Sequence, residues 1–387
     1  MQVVPLVSKS EEKEFIEFPV KLYRGNPTWI RPMDADILAV FDPEKNKAFS
    51  RGKCSRWLLK HEGKTVGRIA AFISYPSNPD SGNEPSAGIG FFECIQDQEA
   101  ADTLFNTARD WLKEQGATYM DGPVNFGRRD KWWGLLTKGF EVEPNYQCNY
   151  NFPYYAELFE NYGFQTYFQQ YTFLRNVFDP VSKRLAYKAD LVAADPAYTF
   201  EHLKLSQFEK YASDIIEVYN KAWVKHDGVQ ALSMEQGRAI MSQLKPILDE
   251  KVIWIAYYRE NPVAIFVCIP EVNQLLKHVN GKLDLLGKLK FFWFKKTRHT
   301  KKLLGMVFGV VPEHQGKGVD GAIIKVMSDV LRKNKDYDFM EMNGIGDFNP
   351  KMILVMRQVG GAICKVHSTY RYLFDRTIPF ERMKSIR

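Results

Sequence analysis

Val310-Val311-Pro312-Glu313-His314-Gln315-Gly316-Lys317-Gly318-Val319-Asp320-Gly321-Ala322 is the stretch that decides the fold. An apolar run, Leu303 to Val311, precedes it, and a helical-looking run, Ala322 to Leu331, follows. Strand, glycine-bearing turn and helix in that order make a device for holding an anion. The glycines let backbone N–H groups turn inward, and the helix start adds partial positive charge. Lys317 adds a cation. The spacing fits neither GxxxxGK[ST] nor GxGxxG, so neither a nucleoside triphosphate site nor a dinucleotide fold is indicated. A strand-turn-helix without any ligand has the same outline.

The sequence downstream separates the two. Asp338-Phe339-Met340-Glu341-Met342-Asn343 alternates and reads as a strand. Asn349-Pro350 opens a helix that ends at Gly360-Gly361, and Ile363 to Phe374 reads as a final hairpin or strand pair. This order, with the loop, resembles the GNAT (GCN5-related N-acetyltransferase) superfamily, whose pyrophosphate loop reads Gln/Arg-x-x-Gly-x-Gly/Ala after a strand. Gln315, Gly316, Lys317, Gly318 and Val319 match it, and Asp320 replaces the last small residue, with Gly321 next. A carboxylate facing a pyrophosphate is unfavourable, so Asp320 is expected to point outward or to cap the helix. The resemblance is specific over roughly 303–374 and extends more loosely back to about Phe200.

The resemblance implies an α+β chain that binds acetyl-CoA or a longer acyl-CoA through Val310, Val311, the loop residues Gln315 to Val319, and Asn349. The family often has a tyrosine late in the Asn-led helix that protonates the leaving thiolate. By spacing that position is Met356 here. Chemistry of this kind is direct attack of an amine on a thioester, and it needs a neutral amine, a polarised carbonyl and a proton for the thiolate. Oxyanion help is expected from backbone N–H groups near Val310-Val311. Glu341 is the preferred base and Glu313 the alternative; Tyr370 and Tyr155 are the candidate acids. His314 and His367 read as surface or structural residues.

The two halves follow one plan. Ser55 to Ala71 reads as a hairpin turning near Glu62-Gly63, and Val252 to Ile265 as another turning at Glu260-Asn261. Ala100 to Leu112 parallels Ala322 to Leu331, Met120 to Asn125 parallels Met340 to Asn343, and Asn151 to Gly163 parallels Asn349 to Gly360. Where the second half has its glycine loop, the first has Phe91-Phe92-Glu93-Cys94-Ile95-Gln96-Asp97, with no glycine and two acids. The expected fold is therefore two GNAT-like domains, each a mixed, mostly antiparallel sheet flanked by helices. Residues 1–178 form a copy without a CoA loop, 179–199 a linker, and 200–387 the CoA-binding copy.

Aligning the halves leaves an insert in the second, 274–302. It carries nine lysines and arginines against one aspartate, a balance of +8, while the whole chain is +7. The basicity is therefore one segment. Leu285, Leu286, Leu289, Phe292 and Trp293 share one helical face with lysines beside them. Such a pattern suits a helix lying on an anionic membrane surface. It also suits a lid over the acyl-CoA site. Lysines outnumber arginines and the aromatics sit in one place, so a nucleic-acid partner is not expected. A second aromatic and basic cluster, Phe126 to Gly134, holds Trp132 and Trp133, which either line an apolar channel, rest on a membrane or pack a loop.

Five scattered cysteines without CxxC argue against a disulfide scaffold or a zinc site, and no metal is expected. The N-terminus does not read as a signal peptide, and no apolar run reaches the roughly 20 residues that cross a bilayer. A cytoplasmic location is expected, peripheral on the inner face of the membrane if the insert binds lipid. The tandem plan with its basic insert resembles bacterial GNAT-type lipid N-acyltransferases. The function expected from these features is acyl transfer to a small or lipid amine. Two other readings stay open: a Fem-type aminoacyl-tRNA-dependent transferase, against which the retained Gln315 to Gly318 loop argues, and a non-catalytic acyl-CoA-binding or membrane-associated protein, which Met356 favours.

Overall fold

The computed structural model describes residues 1–78, 84–223, 231–297 and 300–386. The first half runs β1 (Gln2–Pro5), α1 (Lys9–Leu22), α2 (Asp34–Val40), β2 (Gly52–His61), β3 (Lys64–Ser74), β4 (Ser86–Cys94), α3 (Gln98–Glu114), β5 (Tyr119–Gly122), β6 (Leu135–Lys138), α4 (Tyr155–Tyr162) and β7 (Gln165–Asn176). After α5 (Lys183–Ala194) the second half runs β8 (Tyr198–His202), α6 (Phe208–Trp223), α7 (Met234–Leu244), β9 (Ile253–Tyr258), β10 (Asn261–Pro270), α8 (Asn273–Leu276), α9 (Leu285–Thr297), β11 (Lys302–Val310), α10 (Val319–Asn334), β12 (Phe339–Gly346), α11 (Pro350–Gln358) and β13 (Ala362–Leu373).

Both expected hairpins form. Each turns through two residues with positive φ, Glu62 and Gly63 in one and Arg259 and Glu260 in the other. That geometry matches the twist of the flanking strands. The second turn lies one residue earlier than the sequence suggests, because Asn261 already pairs with Tyr258.

One sheet of 13 strands runs through the whole molecule, in the order β1-β2-β3-β4-β5-β13-β7-β12-β11-β10-β9-β8, with β6 on β13. The end strands of the halves have changed places. β7 pairs antiparallel with β12, and β13 lies between β5 and β7. The expected final hairpin is therefore one long strand, with β7 on one side and β5 and β6 on the other. Each exchanged strand also fills the other half's core. Phe173 of β7 packs with Met340, Met342 and Met356, and Tyr370 of β13 packs with Phe159 and Leu135. The connecting segment 179–199 carries α5, whose Leu185, Ala189 and Val192 are buried in the second core. A third cluster joins α1 and α2 to the sheet through Phe15, Ile37, Leu58, Ala70 and Phe72.

Candidate functional site

The loop predicted to hold an anion sits at the end of β11. Its residues Pro312–His314 form a short turn, and Gly316 and Gly318 take φ of +72° and +97°, where any other residue is strained. Gly318 is the N-cap of α10 and offers no side chain to the helix start. The first-turn amides of Val319, Asp320 and Gly321 have no partner inside the helix. Among the described residues no side chain accepts from them. A Cβ at Gly316 would meet nothing within 4 Å, so the loop is open on that side. At Gly318 it would lie 2.7 Å from the Lys188 Cβ and 3.0 Å from its carbonyl oxygen, so this glycine also lets α5 approach. Lys188 of α5 donates to the Gly316 carbonyl at 3.2 Å. Asp320 is half-buried in the first turn of the helix.

β11 and β12 are parallel neighbours only from Lys302↔Phe339 to Gly305↔Met342. Beyond that pair they separate, and the cleft between them opens toward the loop. A bulge at Met306 interrupts the β10–β11 ladder at the same level. The register fixes which peptide groups face the cleft. Val311 donates to Val263 at 2.9 Å, which makes that pair hydrogen-bonded with β10. Alternation along an antiparallel ladder then turns the N–H groups of Val310 and Phe308 away from β10, into the cleft. Val311 was expected to offer its amide, and the ladder corrects that: the amide is taken. The Val310 carbonyl accepts from Gln315 Nε2 at 3.0 Å. Asn349 caps α11, its Oδ1 accepting from the Met352 amide at 3.1 Å, and nothing among the described residues accepts from its Nδ2. These groups fit an acyl-CoA: uncapped amides and Lys317 for a pyrophosphate, an amide side chain and two strand N–H groups for the pantetheine and thioester.

The acid and base expected from sequence are not brought into this cleft. Glu341 is 1% exposed and enclosed. Its carboxylate accepts from Lys365 Nζ at 2.7 Å, Lys302 Nζ at 3.1 Å and Asn145 Nδ2 at 2.7 Å. Burial alone would raise its carboxyl; the two ammonium groups outweigh burial and hold it below the usual range. An anion so satisfied is a poor proton acceptor near neutral pH, which is at odds with a base role. It also pairs with Leu304, six residues before Val310, so about 20 Å of strand separates it from the loop. Tyr370 is buried in the first half's core and donates to Glu160 at 2.9 Å; burial and that carboxylate push its pKa up. Tyr155 is likewise in the first half, donating to Glu93 at 2.7 Å. Met356 is buried, so α11 supplies no acid there. Glu313 is exposed at the loop.

Neither histidine is arranged for catalysis. His314 Nδ1 is 2.7 Å from the Tyr198 hydroxyl. His367 is buried, its Nε2 3.0 Å from the Asn149 carbonyl, and burial lowers its pKa to about 4. That carbonyl can only accept, so Nε2 carries the proton and the ring is neutral.

Sequence reasoning missed the network around Glu341. Lys302, Lys365, Asn145 and Glu271 come from four separate segments. Glu271 accepts from the amides of Tyr146 and Asn273, and Asn273 Nδ2 donates to Pro144. Lys365 also donates to the Glu143 carbonyl. The segment 143–151 is thereby fastened between the halves. The only advance signal was the presence of charged residues in strand-like runs.

The insert folds as α8 and α9. Phe291 and Phe294 turn inward, Phe291 onto the cluster of Met33, Val272, Leu276 and Val279, and Phe294 onto His278. Phe294 thus turns inward while its neighbour Trp293 is exposed. Leu285, Leu286, Leu289, Phe292 and Trp293 are 59–75% exposed on the opposite side, among Lys288, Lys290, Lys295 and Lys296. Among the described residues no helix is long and apolar enough to cross a membrane, and no His, Cys, Asp and Glu group could hold a metal. Of the second aromatic cluster, Trp132 is buried and Trp133 donates to Thr369 at 3.0 Å.

No family model matches the chain. It is 24% identical over 387 residues to a protein named bacterial ceramide synthase from Caulobacter vibrioides (strain NA1000 / CB15N), covering 96% of this chain and 97% of that one. It is 26% identical over 373 residues to protein YghO of Escherichia coli (strain K12), covering 94% and 93%. Among solved structures, a tandem GNAT protein from the clavulanic acid biosynthesis pathway matches with a TM-score of 0.53 at 12% identity, over 98% of this chain and 99% of that one. A GCN5-related glucosamine N-acetyltransferase region in a fungal multi-domain GH3 beta-N-acetylglucosaminidase matches with a TM-score of 0.54 at 12% identity, over 96% of this chain and 38% of that one. The chain has the tandem GNAT fold, a mixed sheet flanked by helices.

Proposed function

We propose that this chain is an acyl-CoA-dependent N-acyltransferase acting at an anionic membrane surface on a long-chain amine. The observation that carries the reading is the uncapped start of α10 beside the open cleft of β11 and β12. The pyrophosphate lies on the amides of Val319 to Gly321 and against Lys317, where charge-assisted hydrogen bonds are strongest. Asn349 Nδ2 holds the pantetheine arm, and the N–H of Phe308 or Val310 polarises the thioester carbonyl. The amine nitrogen attacks the carbonyl carbon, the C–N bond forms and the C–S bond breaks. The thiolate takes one proton and the amine loses one. Glu341 holds Lys302, Lys365 and Asn145 in place rather than taking the proton.

Two observations support a lipid acceptor. The outer face of α9 is apolar and ringed by lysines, and each lysine near an anionic surface contributes roughly 1 kcal/mol. The second is that a relative 24% identical over 387 residues is named bacterial ceramide synthase. The test is release of free CoA thiol from palmitoyl-CoA and from acetyl-CoA, with and without a long-chain amine, on anionic vesicles. Amine-dependent release is expected. Release that ignores the amine, or none with any amine, sinks the reading. Replacing Lys288, Lys290, Lys295 and Lys296 with glutamine should weaken co-sedimentation with anionic vesicles at 0.1 M salt and leave CoA binding unchanged. At 1 M salt the Debye length falls to about 3 Å, and the difference should shrink. A wild type that stays off both anionic and neutral vesicles would make a small soluble amine the better acceptor.

A non-catalytic acyl-CoA binder is the second reading. The buried Met356 and the closed environment of Glu341 favour it. CoA binding without any amine-dependent release would select it.

A further inference from the structure

The connecting helix α5 packs against the start of α10 at two glycines. A Cβ at Gly318 would meet Lys188, and a Cβ at Gly321 would lie 2.7 Å from Leu185 Cδ1 and 3.1 Å from its carbonyl oxygen. Leu185, Ala189 and Val192 anchor α5 in the second core, and Ser182 at its start donates its amide to the Gln358 carbonyl of α11. This close approach brings the half-buried Lys188 to the loop, where its Nζ donates to the Gly316 carbonyl at 3.2 Å. Asp190, the acid on the same helix, pairs with Lys325. Among the described residues the partner of Lys188 is therefore a backbone oxygen and not a carboxylate.

What that bond does follows from peptide geometry. A trans peptide is planar, and its C=O and N–H point in opposite directions. Holding the Gly316 oxygen toward α5 turns the N–H of Lys317 away from α5. Among the described residues nothing accepts from that N–H. The loop needs such a constraint. Gly316 and Gly318 take positive φ and Lys317 between them does not. That alternation of hand is what makes successive amides converge on one anion. Glycine also occupies both signs of φ about equally, so the peptides beside Gly316 are free to turn over. A loop that samples both orientations offers its amides only part of the time, and affinity falls by that fraction.

We infer that Lys188 is a positioning residue for the anion site. It keeps the Gly316–Lys317 peptide turned so that the Lys317 amide joins the first-turn amides of α10. It does not touch the ligand, because its ammonium lies on the carbonyl side of that peptide. Lys317 supplies the cation that faces the phosphate. The segment between the halves, a linker by its place in the sequence, is thus part of the site.

This inference rests on the reading of the loop as an acyl-CoA site, so binding is measured apart from turnover. The probes are CoA and inorganic pyrophosphate, titrated calorimetrically into the full chain. Lys188→Met keeps the length of the stem and removes the donor; Lys188→Arg keeps a donor. Lys188→Met should weaken both probes about 10-fold, as when the competent loop drops to roughly a tenth of the population. Lys188→Arg should recover most of the loss. The thermal midpoint should stay where it is, whereas a purely structural tie of α5 would lower the midpoint and leave affinity alone. Salt separates positioning from contact. Between about 0.1 M and about 1 M, CoA binding should weaken by the same factor in wild type and Lys188→Met, and by a smaller factor in Lys317→Met, which lacks the cation facing the phosphate. In amide spectra of labelled protein, pyrophosphate should shift the Lys317 N–H strongly in wild type and weakly in Lys188→Met. Unchanged affinity in Lys188→Met overturns the positioning role. So does a salt dependence flattened as far as in Lys317→Met, which would make Lys188 a direct ligand. Lys188-dependent CoA binding without acyl transfer keeps the positioning role and removes the acyltransferase reading. A wild type that binds neither probe removes both.

Discussion

The N-termini of α3 and α10 occupy equivalent places in the two halves and handle charge in opposite ways. At α3 the N-cap is Asp97, whose Oδ1 accepts from the Ala100 amide at 2.8 Å. The helix satisfies its own start, and a carboxylate stands where an anion would sit. At α10 the N-cap is Gly318, with no side chain, and the first-turn amides are left for a ligand. The buried carboxylates differ too. Glu93 of β4 faces one guanidinium at 3.5 Å and two tyrosines, and burial raises its pKa. Glu341 of β12 is held between two lysines and its pKa is lowered, the lysines overcoming the effect of burial. The same helix start is therefore capped by its own carboxylate in one copy and left uncapped in the other.

The largest effect should come from Glu341→Gln. It leaves Lys302 and Lys365 buried without their anion, a loss of about 3–5 kcal/mol in unfolding free energy. Thermal or urea unfolding would read it. The pH dependence sharpens the contrast between the halves. The folded pKa of Glu341 is below its ordinary 4.5, so the unfolded state binds more protons as pH drops through this range. Its contribution is present above about 4.5 and is lost as pH falls below that. Glu93 has its folded pKa raised above 4.5, so its carboxyl takes a proton first in the folded state and stability from this group falls as pH rises through that range. The acid limbs of Glu341→Gln and Glu93→Gln, each compared with the parent, should therefore differ with opposite slopes. Parallel limbs would show that the two carboxylates are equivalent after all.

Next in size is Gly316→Asp. A Cβ at this position meets nothing within 4 Å, and aspartate tolerates the left-handed backbone better than most residues. Folding should change little. The added carboxylate gives the loop of α10 the negative charge that Asp97 gives α3. CoA affinity should drop roughly 100-fold, about the worth of one or two charge-assisted hydrogen bonds. Unchanged affinity by calorimetry would separate CoA binding from this loop and end the contrast between the helix starts.

What was readable in the sequence was local. The turn at Glu62-Gly63, the glycine loop at Gly316 and Gly318, and the cap at Asn349 each announce themselves by residue type within a few positions. The run of β13 reads as extended structure without naming its partners, and β7 is not read from the sequence at all. Alternation states which residues face a core, not whose core, and Phe173 and Tyr370 each ended in the other half. The network around Glu341 was unreadable for the same reason. Lys302 reads as the last residue of the basic insert and Lys365 as part of a terminal strand pair, and nothing in either position announces that both end on one buried carboxylate.

The smallest expected effect tests whether the first copy is merely capped or has lost its site altogether. Asp97→Ala removes the acceptor for the Ala100 amide and should cost about 1 kcal/mol. It also frees the start of α3, as Gly318 frees α10. If an uncapped helix start were sufficient, the variant would gain a second CoA. The first copy lacks the other parts: Phe91 to Asp97 holds no glycine, and no lysine stands in it as Lys317 does in the second. Phe91 alone in that segment takes positive φ, and without the paired glycines of the second copy successive amides are not turned toward one anion. The variant should therefore lose its 1 kcal/mol and still bind one CoA per chain. A stoichiometry of two in a calorimetric titration would show that Asp97 alone silences the first half.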